Sequence, residues 1–144
     1  MNKIITKISQ ISHNGFVGAV ELNFSNYGSL FDYHESFKIA LDMCSMHNLS
    51  NWIIEKDNFN DLPVEEYLML INKWLRYNVK ADQSIDAKVA LLSTPHEAIK
   101  LEKYLALRWF VERLQLPSHV SLGVFTDVRA AYRFALSAKH LQHT

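Results

Sequence analysis

The stretch WIIEKDNFNDLPVEE, residues 52–66, leaves an apolar strand, passes through acids and amides, and restarts as a helix at Pro63-Val64-Glu65-Glu66. Strand-to-helix corners of open α/β sheets are where ligands bind and reactions occur, so Asp57, Asn58, Asn60 and Asp61 are the first candidates for chemistry. The reaction they suggest is phosphorylation of an aspartate, which needs a carboxylate cluster around a divalent cation and a lysine to clamp the phosphoryl oxygens. Neither complement is present: the early corner LNFSNYG has no acid pair, and the late strand VALLSTP ends without a lysine. The reading that remains is structural, with Asp57 and Asn58 turning the chain and Asp61 favouring the N-terminus of the next helix.

Other reactive side chains also fail to converge. The glycines, at 15, 18, 28 and 123, form neither a GxGxxG nor a GxxxxGK phosphate loop, so no nucleotide cofactor is expected. Cys44 lies one helical turn from His47, but its spacing with Phe37, Ala40 and Leu41 places it on an apolar face where a thiol stays protonated. His140 and His143 stand at i and i+3 near the end of the sequence without a third ligand, so no metal is expected. No GxSxG elbow is present, and the adjacent Glu65 and Glu66 diverge on a helix. With no nucleophile, base, metal or phosphate site assembled, the expectation is a protein without catalysis of its own.

The elements around these residues are easier to read. A chain of 144 residues, 49% hydrophobic, is large enough for one domain with a sizeable core, here spanning 1–144. Fifteen basic residues balance fifteen acidic ones, which leaves no field to draw nucleic acid or an anionic membrane. No apolar run approaches the roughly 18 residues of a membrane span, so no membrane insertion is expected. One cysteine and an alternating N-terminus without a signal-peptide block point to a cytoplasmic protein.

KIITKISQISHNGFVGAVELNF reads as two alternating segments about Asn14-Gly15, a dipeptide suited to a type I′ hairpin turn. A helix follows in DYHESFKIALDMCSMHN, with Asp32 as cap and Glu35 three positions on. NWIIE is a strand covered on both faces, PVEEYLMLINKWLRYNVK a helix, and AKVALLS a strand. TPHEAIKLEKYLALRWFVERL is a helix opened by Thr94, Pro95 and Glu97, HVSLGVF a last strand, and VRAAYRFALSAKHL a helix opened by Thr126 or Asp127. The fold class is therefore α/β: a single-domain mixed sheet, an N-terminal antiparallel hairpin followed by alternating helices and strands, parallel after the hairpin.

The third helix carries more apolar residues than one sheet face can bury. Packing against neighbouring helices absorbs some of them, and Leu107, Trp109, Phe110 and Leu114 are candidates for a self-association surface or the wall of an apolar pocket.

This order of elements, with NLSNWIIE, the tryptophan of INKWL, and Phe125-Thr126-Asp127 before an Ala-rich final helix, resembles the STAS-like domains related to sporulation anti-sigma-factor antagonists. The resemblance implies a small non-enzymatic module that binds a protein partner. The phosphoswitch of the antagonist branch carries over to no residue, because EKDNFNDLPVEE contains neither serine nor threonine. Related domains of similar topology bind lipids or other apolar small molecules. The expected function is a cytoplasmic, regulatory protein-binding module, possessing no cofactor and forming a homodimer through the third helix; the alternative is a carrier or sensor of a small apolar ligand.

Overall fold

The computed structural model describes residues 3–56, 59–79, 87–93, 98–116 and 119–136. The strands are β1 (Lys3–Ile5), β2 (Ser9–Asn14), β3 (Ala19–Phe24), β4 (Asn51–Lys56), β5 (Ala87–Leu92) and β6 (Val120–Phe125). The helices are α1 (Leu30–His47), α2 (Val64–Val79), α3 (Ala98–Val111) and α4 (Val128–Ala135). All six strands join one mixed sheet in sequential order, with β1, β2 and β3 antiparallel and β3 to β6 parallel. The expected α/β architecture is thus present.

Three local details differ from the sequence reading, two of them in the first three strands. The first apolar segment is two strands, because Thr6 folds the chain back on itself. Its Oγ1 accepts from the amides of Ile8 (3.3 Å) and Ser9 (3.0 Å), and its own amide donates to Ser9 O at 2.9 Å. The turn between β2 and β3 is a four-residue loop instead of a two-residue type I′ turn at Asn14-Gly15. Asn14 Oδ1 accepts from Phe16 N (3.0 Å) and Val17 N (3.2 Å), and it is Gly18, at φ 76°, that takes the left-handed conformation. An Asx turn has won over the hairpin dipeptide.

The parallel strands advance one place at a time, so crossovers of one hand bring α1, α2 and α3 to the same face of the sheet. There Val20, Leu22, Phe24, Trp52, Ile54, Val89 and Leu91 meet Tyr33, Phe37, Ala40, Cys44, Tyr67, Leu68, Ile71 and Leu107 in the main core. α4 returns over the opposite face, where Ala131 and Ala135 pack with Ala19, Ile53, Ala90 and Leu92. Small residues on both sides let this helix approach the sheet closely. Asn51 locks it there: its Nδ2 donates to Ala135 O at 2.9 Å while its Oδ1 accepts from Lys88 N at 3.0 Å. β4 is therefore covered on both faces, as its nearly continuous apolar character requires.

The first helix opens earlier than Asp32. Ser29 is its N-cap, and Asp32 at N3 closes a capping box, accepting from Ser29 N at 2.9 Å while Ser29 Oγ accepts from Asp32 N at 3.3 Å. Asp127 caps α4 through the amides of Arg129 and Ala130. The start signal expected at Thr94, Pro95 and Glu97 lies outside the described residues, as do His140 and His143.

Ile53 points at α4 from the middle of β4 and is 1% exposed. Ile53→Asp would bury a carboxylate with no partner, and loss of the folded state by circular dichroism is the expected outcome. A variant as resistant to urea as the parent would contradict the placement of this strand.

Candidate functional site

The alternation that turns Trp52 and Ile54 into the main core also turns Lys56 inward at the carboxyl end of β4. Its side chain is 3% exposed. A buried ammonium is unstable without partners, and Lys56 Nζ has them: it donates to Tyr33 OH at 2.7 Å and to Asp61 Oδ1 at 3.2 Å. Tyr33 OH in turn donates to Asp61 Oδ2 at 2.5 Å, and Gly28 N donates to the same oxygen at 3.0 Å. Three aromatic rings surround the ammonium, with centroids at 5.0 Å (Tyr33), 5.4 Å (Phe59) and 5.9 Å (Phe24), within the range of cation–π attraction.

Burial and mutual contact shift the proton affinities of all three groups. Burial pushes against ionisation of Asp61, but the hydrogen bonds from Tyr33 and Gly28 and the charge of Lys56 outweigh it and hold the carboxyl below its ordinary 3.8. Burial also lowers the affinity of Lys56 for its proton, and the Asp61 carboxylate opposes that loss. Tyr33 is pushed up by burial, by its hydrogen bond to Asp61 and by that carboxylate's charge, so it stays protonated and keeps donating. The cluster joins the loop after β3, helix α1 and the corner after β4.

What it joins is the rim of an open recess of about 520 Å³ at the carboxyl ends of β3 and β4, lined by residues 23–27 with Glu55 and Lys56. The rim segment after β3 is pinned on one side by Ile8 O, which accepts from Ser25 N (2.9 Å) and Asn26 N (3.3 Å). On the other side Gly28 N is held by Asp61, and Tyr27 OH accepts from Asn60 Nδ2 at 3.2 Å. Glycine is required at 28: a Cβ there would stand 2.6 Å from Ile8 Cγ2 and 3.0 Å from the Asp32 side chain. Tyr27 itself is more than half exposed.

The corner that the sequence singled out is therefore divided. Asp61 serves the Lys56 cluster and the loop after β3, not the N-terminus of α2 for which it was read, because an inward lysine needs a nearby carboxylate more than a helix end does. Asp57 and Asn58 lie outside the described residues. Lys56 and Tyr33 were missed. The signal for Lys56 was available, since it continues the core-facing register of Trp52 and Ile54; Tyr33 had none, being brought in by α1. Ser93 was missed too. Extending the Glu55–Leu92 pairing by one residue sets Ser93 beside Lys56 on the same face, 1% exposed and with no hydrogen-bond partner for its Oγ among the described residues.

The third-helix candidates separate as well. Leu107 is 1% exposed in the main core and cannot form a contact surface. Phe110 and Leu114 are half-buried and pack against that core. Only Trp109 of the four is exposed; Arg113 lies over its ring at 3.7 Å, and Phe110 meets it edge-on at 5.0 Å. α3 packs on α2 and β6, while Leu105 stays exposed beside Trp109. Cys44 is buried as expected, and burial pushes its thiol up to about 12.

Among the described residues no three His, Cys, Asp or Glu side chains converge as metal ligands, and no helix is long and apolar enough to cross a membrane. In comparisons with known proteins the chain matched no family model, no curated protein and no solved structure.

Removing one partner of the buried pair is expected to be costly: Asp61→Asn should lose about 3–5 kcal/mol in urea unfolding, because Lys56 is left uncompensated. Lys56→Met combined with Asp61→Asn should recover most of that loss. Independent, additive effects would contradict the coupling. A carboxyl with a depressed folded-state pKa gives its full stabilisation above its unfolded value and loses it as pH falls through the folded one. The parent should therefore lose stability progressively below pH 3.8, and Asp61→Asn should show a shallower acid dependence.

Proposed function

We propose that this chain is a non-enzymatic binding module that acts in regulation through protein–protein contact, with the rim of the carboxyl-edge recess as its recognition surface. One observation carries the reading: a buried ion pair, a costly device, is used to fix two surface loops against each other. Lys56, Tyr33 and Asp61 spend their charges and protons on one another, and through the Gly28 amide the result is a defined position for Tyr27 and Asn60 beside Asn26, which Ile8 O holds. Pre-ordered loops on a rigid sheet lower the entropy cost of docking, and an exposed tyrosine among amide side chains is typical of protein-contact surfaces. The resemblance to STAS-like domains points to the same class of function.

The second reading, a carrier of a small apolar molecule, draws on a different place. A groove of about 300 Å³ between β1 and α1 is walled by Ile4, Ile39, Met43 and Met46 with Lys3, Asp42 and His47 at its margins.

Replacing Tyr27 by a photoreactive amino acid and irradiating cells is expected to trap a discrete protein adduct, and the same replacement at exposed Met69 on α2 is expected not to. Glu55→Lys should reduce the Tyr27 adduct. Equal trapping at both positions would overturn the reading, as would a retained small molecule in native mass spectrometry that is lost on substituting the groove residue Met43.

A further inference from the structure

We propose that two copies of this chain pair through their β1 strands, antiparallel and centred on Ile4, so that the sheet continues across a two-fold axis. The first support is the phase of the hydrogen bonds. In an antiparallel pair, residues opposite each other alternate between exchanging their backbone bonds and turning them away. β1 and β2 pair Lys3 with Ser12, Ile4 with Ile11 and Ile5 with Gln10, and the bond from Thr6 N to Ser9 O belongs to the same register. Thr6 therefore faces β2, and so does Ile4. The other side of β2 agrees: Ser25 N donates to Ile8 O in the β2–β3 register, so the even-numbered residues of β2 face β3 and the odd-numbered ones, Ile11 included, face β1. Lys3 and Ile5 thus turn their N–H and C=O groups outward, and among the described residues no strand pairs with that edge.

That edge is complementary to itself. A second β1 laid antiparallel with Ile4 opposite Ile4 sets Lys3 against Ile5 of the other copy and Ile5 against its Lys3. Both become hydrogen-bonded pairs, about four interchain bonds in all, and every outward group of the two residues is used. The charges fit the same register. Lys3 faces isoleucine instead of the other Lys3, so its apolar stem can lie along Ile5, which is 69% exposed, and a net charge of zero leaves little repulsion between copies. The apolar surface fits as well. Ile4 lies on the α1 side, where it walls the groove with Met46, 76% exposed, so pairing gathers Ile4 and Met46 of both copies into one patch. Two-fold pairing of one patch is the common way for a small domain to cover such a surface.

The strand has only three residues, so the contact is at the small end of specific interfaces and the dimer should be weak, dissociating on the order of tens of micromolar. This proposal does not depend on the recess reading, since the two surfaces use different elements.

Sedimentation equilibrium of the parent up to about 200 µM, well above that constant, should show a reversible monomer–dimer equilibrium. Cysteine scanning then fixes the register. Across the two-fold axis the Ile4 positions form a non-hydrogen-bonded pair with Cα atoms about 4.5 Å apart, within disulfide range, so Ile4→Cys should form a covalent dimer under mild oxidation. Ile5→Cys should remain largely monomeric, its counterpart lying two residues out of register, and the buried Cys44 contributes no background. Ile4→Glu, which sets like charges opposite each other, should be monomeric with an unchanged circular dichroism spectrum. A concentration-independent monomer mass for the parent would overturn the proposal, and so would equal crosslinking at Ile4→Cys and Ile5→Cys or an undiminished dimer for a folded Ile4→Glu.

Discussion

A lysine stands where β4 should present a third apolar side chain to the core, and the carboxyl edge of the sheet is arranged around that fact. The ammonium of Lys56 cannot be left alone in such a place, so a tyrosine from α1, a carboxylate from the loop before α2 and three aromatic rings converge on it. A well-packed apolar residue would stabilise the fold at least as well. What the ion pair adds is connection: through Asp61 and the Gly28 amide it ties the loop after β3 to the corner after β4, so the rim of the recess has one shape.

The two faces of the sheet meet different needs. On one, large side chains from α1, α2 and α3 fill a thick core that reaches from Ile11 on β2 to Val120 on β6. On the other, alanines bring α4 close to the strands, and Asn51 supplies the polar bonds that end the helix against β4 and β5. The sequential strand order follows from three crossovers of one hand and leaves β1 at one margin and β6 at the other. Recess, groove and open edge all gather around the N-terminal half of the sheet, away from the α3 surface where contact was expected.

Elements were legible in the sequence because their signals are local. Strand β4, the inward face of α1 around Phe37, Ala40 and Cys44, and the cap at Asp127 follow from periodicity and side-chain chemistry within one turn or one strand. The failures were contests between two local signals, as when the Asn14 side chain formed an Asx turn in place of the Asn14-Gly15 hairpin turn, or Ser29 took the cap from Asp32. The site was less legible, since it is made by contacts across the fold. Asp61 has the composition of a helix start, and only the inward register of Lys56 reveals its other role. Tyr33 looks like one more core aromatic until α1 is docked. For α3, helical spacing measured how apolar the helix was without revealing that Leu107 faces the core and that Arg113 covers Trp109.

The central claim is that the Lys56 cluster, and not the loop's own sequence, fixes the rim of the recess. Amide hydrogen exchange at Gly28 reads this directly, because its N–H donates to Asp61 and to no backbone carbonyl. The amide should be protected in the parent and should exchange at least about tenfold faster in Lys56→Met/Asp61→Leu, which has no acceptor at 61, while Ala90 in the middle of β5 keeps its protection. A Gly28 amide that exchanges freely in the parent, or that stays equally protected when the pair is removed, would contradict the account.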